Sequence, residues 1–385
     1  MKQFLFILIL LLGLPVFGQN CKCDSIGSLR IDRHQLRYAD EAINQAITDK
    51  EIPGAVLAVV HQSNIVYLKA YGNKSVYPDT IPMRTNTIFD VASLTKSVST
   101  ATSVMILTER GKIRLNDPVS MYIPEFKDDI QIMHLLTHTS GLPSYAPVEI
   151  LEKKLADNPN VLIQHIASVK RNAKPGEEFK YSCLNFITLQ HIIEKISGQS
   201  LRDFANENIF KVLGMRNTDY IPEDVKIKHI APTEKQPDNQ VLLGTAHDPM
   251  ARILKQGISG NAGLFSDARD LAQFAAMLLN NGTHHGRQVL SPLTVRAMTT
   301  VPSGISAFGR TLGWDMYSSY ASNQGDLLGP NTYGHTGYTG TSIVIDPDHK
   351  IAVILLTNRV HPDDKGSVSR LRALVANAVA GAVRM

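Results

Sequence analysis

Ser93 and Lys96 stand three residues apart in "DVASLTKSVSTATSVMILTERGKI" (90–113), where turn formers give way to an apolar helical pattern. Asp90, Ser93 and Thr95 favour a turn or cap, while Leu94, Val98, Ala101 and Met105 recur at helical spacing. A lysine in the first turn of a helix faces the positive end of the macrodipole, so its placement costs stability. Chemistry accounts for it. A serine hydroxyl is a poor nucleophile until a neighbouring base takes its proton. A lysine can be that base if burial and nearby positive charge keep it partly neutral. Residues three apart share a helix face, so the hydroxyl and the amine should meet, the helix dipole lowering the amine's proton affinity. A surface lysine beside a capping serine is the bland alternative, and alone the pair would favour it. Yet this is the only S-x-x-K in the chain, and it opens a strongly apolar helix.

Two further stretches carry candidate groups. In "PGEEFKYSCLNFITLQHIIEKISG" (175–198), Pro175-Gly176 makes a turn, Tyr181-Ser182 enters a helix and Gly198 ends it. A phenol beside a lysine can share a proton relay, although a lone tyrosine is more often an ordinary half-buried aromatic. In "YGHTGYTGTSIVIDP" (333–347), His335-Thr336-Gly337 precedes an apolar strand. A glycine there lets a substrate lie against the strand edge; otherwise His335 is a loop histidine with no task.

These groups need a scaffold. "GAVLAVVHQSNIVYLKAYG" (54–72) reads as two strands around Gln62-Ser63-Asn64, and "GTSIVIDPDHKIAVILLTN" (340–358) repeats the pattern around Asp346-Pro347-Asp348. Helical spacing covers 35–49, 93–110, 130–137, 161–171, 184–197, 201–210, 268–281 and the final stretch from Gly366 to Val383. The expected class is α+β: one antiparallel sheet built from both chain ends, flanked by helices, with a mainly helical part (about 91–300) inserted. The main domain would run over 36–362, and 363–385 would pack a C-terminal helix on the sheet. The polar stretch 222–262 is long for a passive connection and is expected to border a site.

The order S-x-x-K, Y-S-x, H-T-G resembles the serine β-lactamase and penicillin-binding protein superfamily. It is most similar to the class C β-lactamase-like branch with its DD-carboxypeptidases, D-aminopeptidases and esterases. "HLLTHTSGLPSY" (134–145), "LGMRNTDY" (213–220), "GNAGLFSDARDLAQFAAMLLNNG" (260–282) and "LLTNRVHP" (355–362) extend the similarity from about 40 to 360. The resemblance implies that Ser93 is acylated, that Lys96 is its base and that Tyr181 moves protons. His335, Thr336 and Gly337 would line the acyl-binding cleft, and the backbone N–H groups of Ser93 and Thr339 would form an oxyanion hole. Two positions depart from the pattern. Cys183 stands where Y-S-N has Asn, putting an amide contact to the acyl group in doubt unless Asn185 replaces it. His335 replaces the Lys of K-T-G, as in DD-peptidases of this branch. A histidine with a pKa of about 6.5 would change charge across the working range, so carboxylate substrates should bind better in mild acid. Cys183 beside a cationic Lys96 would favour thiolate, against the commoner fate of a buried inert thiol.

Other candidates read as structural. His134 and His138 stand at i, i+4, but Leu135 occupies the place of the glutamate of H-E-x-x-H. His284-His285 in "NNGTHHGRQ" reads as a solvated turn rather than a metal site, His247-Asp248 could reach the cleft, and Trp314 in "LGWD" packs near it. No G-x-S-x-G or Walker loop occurs. No metal or organic cofactor is implied.

The 385 residues, 43% hydrophobic and 19% charged, suffice for one large core or two smaller ones. The net charge of +4 is spread without a basic run, so nucleic acid is not an implied partner. "MKQFLFILILLLGLPVFG" (1–18) reads as a secretory signal peptide, followed by a linker over 19–35. Gly13 and Pro15 interrupt the apolar run, which is short for a membrane anchor. Cys21 raises a lipoprotein alternative, although Asn20 sits where lipidation wants a small residue. Three cysteines, with Cys21 and Cys23 too close to bridge comfortably, indicate no disulfide framework. The expectation is an exported, periplasmic or secreted serine hydrolase acting on a small molecule or a peptide, foremost a D-Ala-D-Ala carboxypeptidase. An esterase or weak β-lactamase is the alternative within the class, and a non-catalytic binder of peptide or cell-wall fragments is the alternative outside it.

Overall fold

The computed structural model describes residues 29–385 apart from Pro159 and Ser322; the expected signal segment, with Cys21 and Cys23, lies outside the described residues. Its centre is a six-stranded antiparallel sheet. In chain order the strands are β1 (Gly54–His61), β2 (Asn64–Ser75), β3 (Ile81–Pro82), β4 (Tyr333–Thr336), β5 (Ser342–Asp346) and β6 (Ile351–Thr357). They lie side by side as β3-β2-β1-β6-β5-β4. The two chain ends meet where β1 pairs with β6, Leu57 opposite Leu355. The sheet built from both ends is therefore present, and both turns fall where the sequence marks them.

Alternation decides which side chain faces which layer. Ala55, Leu57 and Val59 join Val353 and Leu355 under two helices, Arg37–Thr48 and Ser369–Ala380. Val56, Ala58 and Val60 join Ile354 and Leu356 in the larger core on the other face, against the helix Ala268–Leu279 and the helical part. Burial on both faces explains why β1 and β6 are continuous apolar runs rather than half-polar strands. Two helices, Val148–Leu155 and Pro292–Thr299, form where the sequence reading placed none. No helix among the described residues is long and apolar enough to cross a membrane.

A short ladder away from the main sheet positions the chemistry. Phe89–Asp90 pairs with Phe265–Ser266, which brings the Ser93 turn beside the 257–264 loop. The helix that follows Ser93 begins with a π-helical turn, Lys96–Ala101, before becoming regular over Thr102–Glu109. Such turns concentrate at functional sites.

Candidate active site

The Ser93 turn is held by Asp90. Its buried carboxylate accepts the Ala92 N–H at 2.8 Å and the His247 N–H at 2.7 Å. Ala92 adopts φ +46°, a left-handed conformation that costs a non-glycine residue roughly 1–2 kcal/mol. The Asp90 bond helps to hold that strain, and Ser93 follows immediately.

Lys96 is completely buried, and its three N–H donors match three acceptors. Nζ lies 2.9 Å from Ser93 Oγ, 2.8 Å from the Asn261 carbonyl and 3.6 Å from Cys183 Sγ. Burial disfavours the ammonium, but attraction to Cys183 and Tyr181 outweighs it and holds the Lys96 pKa above its usual value. This corrects the expectation that the helix dipole leaves the amine readily neutral: the resting lysine is a cation. The thiolate expectation for Cys183 is corrected as well. Burial pushes the thiol up more than Lys96 pulls it down, so at neutral pH the pair is ammonium and thiol.

Tyr181 lines the same cleft, of about 330 Å³, as Ser93. Its ring is flanked by His138 at 4.3 Å and by Tyr320 at 5.2 Å, with Lys96 Nζ 5.1 Å from its centroid. His138 is buried and accepts the Ser182 N–H on Nδ1. The helix carrying His134 ends at Leu136 and His138 has φ +58°, so the two histidines do not share a helix face. Asn185 does not replace the missing amide contact. Two residues beyond Cys183, it projects from another side of the helix and bonds Ser140 and His138 in the interior.

His335 lies on edge strand β4, its ring 6.2 Å from that of Tyr181, with Nδ1 2.9 Å from the Thr336 carbonyl. Burial first, then Arg310 and Lys96, hold its pKa well below the ordinary imidazole value. The expected change of charge across the working range therefore does not occur. A lasting positive charge at the cleft also comes from the C-terminal helix. Arg372 lines the cleft and donates from Nη2 to the Gly337 and Thr341 carbonyls, each at 2.9 Å. Burial, then Arg359, pull its pKa down to about 9, which leaves it cationic at neutral pH.

Two details of the H-T-G segment differ from expectation. A side chain at Gly337 would run into the Val91 carbonyl, 2.5 Å from the Cβ position, so the glycine admits the Ser93 turn itself rather than only a substrate. Thr339 is buried behind the site with its hydroxyl on the Asp90 carbonyl at 2.7 Å, whereas Tyr338 lines the cleft. The amides of Ser93 and Tyr338 have no protein acceptor among the described residues. Tyr338, the residue directly after Gly337, therefore lies at the cleft where Thr339 does not.

The remaining candidates fall into place. His247 stacks on Tyr338 at 5.6 Å, Asp248 accepts the Tyr145 hydroxyl at 2.9 Å, and Trp314 is fully buried against Phe274 and Tyr333. The long 222–262 stretch borders the site through His247 and Asn261. Sequence reasoning gave no role to Asn261 or Arg372. Asn261 acts through its backbone carbonyl, which leaves no side-chain signal. Arg372 shares the buried stripe of Val375, Ala376 and Val379, and a charge on that stripe was the signal available.

A serine and lysine in contact on a cleft beside a tyrosine, under an antiparallel sheet with helices on both faces, define a serine hydrolase. The β-lactamase family model matches residues 39–377, and the chain belongs to that family. It is 31% identical to an N-acetylmuramyl-L-alanine amidase of Bacillus subtilis (strain 168), over 85% of this chain and 81% of that protein. It is 30% identical to a protein of Escherichia coli (strain K12) whose name gives D-alanyl-D-alanine carboxypeptidase, over 85% of this chain and 83% of that one. The solved structure of EstCE1, a hydrolase with promiscuous acyltransferase activity, shares the fold. Its TM-score is 0.73 at 24% identity, covering 91% of this chain and 99% of that one.

Proposed function

We propose that this serine hydrolase is exported and works through an acyl-enzyme on Ser93, its substrate a peptide ending in a D-amino acid with a free carboxylate. The observation that carries the reading is the 2.9 Å contact of Lys96 Nζ with Ser93 Oγ at a cleft that also bears Arg372. Once Lys96 has given up a proton, its amine takes the hydroxyl proton as Ser93 Oγ attacks the substrate carbonyl. The N–H groups of Ser93 and Tyr338 receive the developing oxyanion. The C–N bond then breaks, and the leaving amine takes the proton from Lys96, with Tyr181 as relay. Water adds to the ester, its proton returns by the same groups, and Ser93 is restored. Arg372 supplies the charge for the leaving group's carboxylate. Export rests on the 1–18 segment.

Purified protein is treated with fluorescent penicillin and then assayed on D-Ala-D-Ala peptides, short-chain esters and cephalosporins. A stable adduct on Ser93 with peptide turnover supports the carboxypeptidase. Ester turnover alone identifies an esterase. No adduct and no turnover of any substrate leaves a binder and overturns the reading. The N-terminal residue of protein recovered from the native host tests export.

A further inference from the structure

Outside the catalytic cleft lies a second concavity, of about 460 Å³, that shares no lining residue with it. Its walls come from the Lys211–Leu213 turn, the first turn of the Ala268–Leu279 helix and the Thr283–His284/Arg287–Gln288 hairpin. The hairpin holds His284-His285, which the sequence reading set aside as a solvated turn and which the hydrolytic site does not use.

Three arginines, Arg216, Arg269 and Arg287, line this pocket with the two histidines. Among the described residues, none of the three has a carboxylate within ion-pair distance. Arg287 gives one N–H to the Val212 carbonyl at 3.2 Å. Arg269 is the second residue of its helix, where the dipole disfavours a cation. Asp267 caps that helix and Asp270 follows in its first turn, but neither carboxylate pairs with the guanidinium.

The acid in the lining is Asp270. Its Oδ2 already accepts the Asn217 N–H at 2.7 Å and the Thr218 hydroxyl at 2.9 Å. Burial, then Asp267, push its pKa up from the usual carboxylate range. His284 is buried with Nδ1 unpartnered, and its ring lies 3.9 Å from that of His285.

We propose that this pocket binds a compact phosphate-bearing anion through the guanidinium groups of Arg216, Arg269 and Arg287 and the His284-His285 pair. Three exposed guanidiniums around one concavity give it a positive field that a multiply charged anion would neutralise. Phosphoryl oxygens match the planar N–H fork of arginine. A recess of this volume suits a small ligand inside it better than a flat surface lying across it.

The test uses the full chain, inorganic pyrophosphate as the soluble probe and vesicles containing phosphatidylglycerol as the lipid probe. Calorimetry should show saturable binding of pyrophosphate, weakened at least about tenfold in Arg269→Ala/Arg287→Ala and partly kept in Arg269→Lys/Arg287→Lys. Both arginines are exposed, so the variants should keep the parent's thermal melt. Binding to vesicles alone, lost in the same alanine variant, supports the phosphate chemistry with a lipid headgroup as its source. Absence of binding to either probe at millimolar phosphate, or binding that the alanine pair leaves unchanged, overturns the proposal. Ser93→Ala should bind pyrophosphate as the parent does, which separates this site from the hydrolytic one.

Discussion

Lys96 Nζ stands 3.6 Å from the sulfur of Cys183, which lies 87 residues further along the chain. Against the push of burial, attraction to that sulfur comes first among the effects that lift the Lys96 pKa, followed by attraction and a hydrogen bond from Tyr181 and attraction to Asp248. A base must be neutral to accept a proton, so a raised pKa starves the reaction at low pH. The rate constant kcat/KM should climb as pH rises on the alkaline side of neutrality. Cys183→Ser removes the ionisable sulfur, lowers the Lys96 pKa and should move the climb to lower pH. A pH profile of both proteins measures it, and superimposable curves would show that the sulfur does not govern the lysine.

Ser93→Ala should abolish the penicillin adduct and turnover while the fold persists. The hydroxyl is one of three acceptors for Lys96, so its loss costs stability about 1 kcal/mol. Intact mass after labelling and a thermal melt report the two effects separately. Turnover kept at about a tenth of the parent rate or more, a barrier change of only about 1.4 kcal/mol, sinks the nucleophile assignment.

What the chain reveals before folding depends on whether a group works locally. Ser93 and Lys96 sit within one helical turn, and the alternating burial of β1 fixes which of its residues face which helices; both are visible in spacing. The Lys96 charge state is not, because it is set by burial and by groups distant in sequence, Cys183 lying 87 residues away. That Tyr338 rather than Thr339 lines the cleft follows from the tight turn in which the Gly337 N–H donates to the Thr341 carbonyl. Such a turn redirects successive residues in a way that strand alternation cannot supply. Asp90 reads as a turn former in sequence, and only the fold shows it joining Ala92 to His247 across the site.

Gly260 tests the loop that presents the Asn261 carbonyl. A Cβ there would press onto the Phe186 carbonyl oxygen, which belongs to the backbone of the Cys183–Ser197 helix and cannot swing aside. Gly260→Ala should therefore displace the loop, remove one acceptor from Lys96 and destabilise the protein by about 1–3 kcal/mol. The expected result is a lower melting temperature together with a fall in kcat. Parent-like kcat at a reduced melting temperature would mean that the Asn261 carbonyl is dispensable to the base.

Arg372 and His335 compete for the task of reading a substrate carboxylate, and their charges decide between them. His335 is held neutral by burial, Arg310 and Lys96, while Arg372, at a pKa of about 9, keeps its charge through neutrality. Arg372→Gln keeps an N–H donor for the Gly337 carbonyl and deletes the charge. It should raise KM for a D-Ala-D-Ala peptide about tenfold, the effect of losing one charge-assisted bond, and change a neutral short-chain ester far less. His335→Gln replaces one neutral polar side chain with another, so it should affect charged and neutral substrates alike. For the parent, carboxylate binding should hold steady from mild acid through neutrality and weaken only as pH passes about 9, where Arg372 loses its proton. Tighter binding near pH 6 than at pH 8, abolished by His335→Gln, would return the role to the histidine.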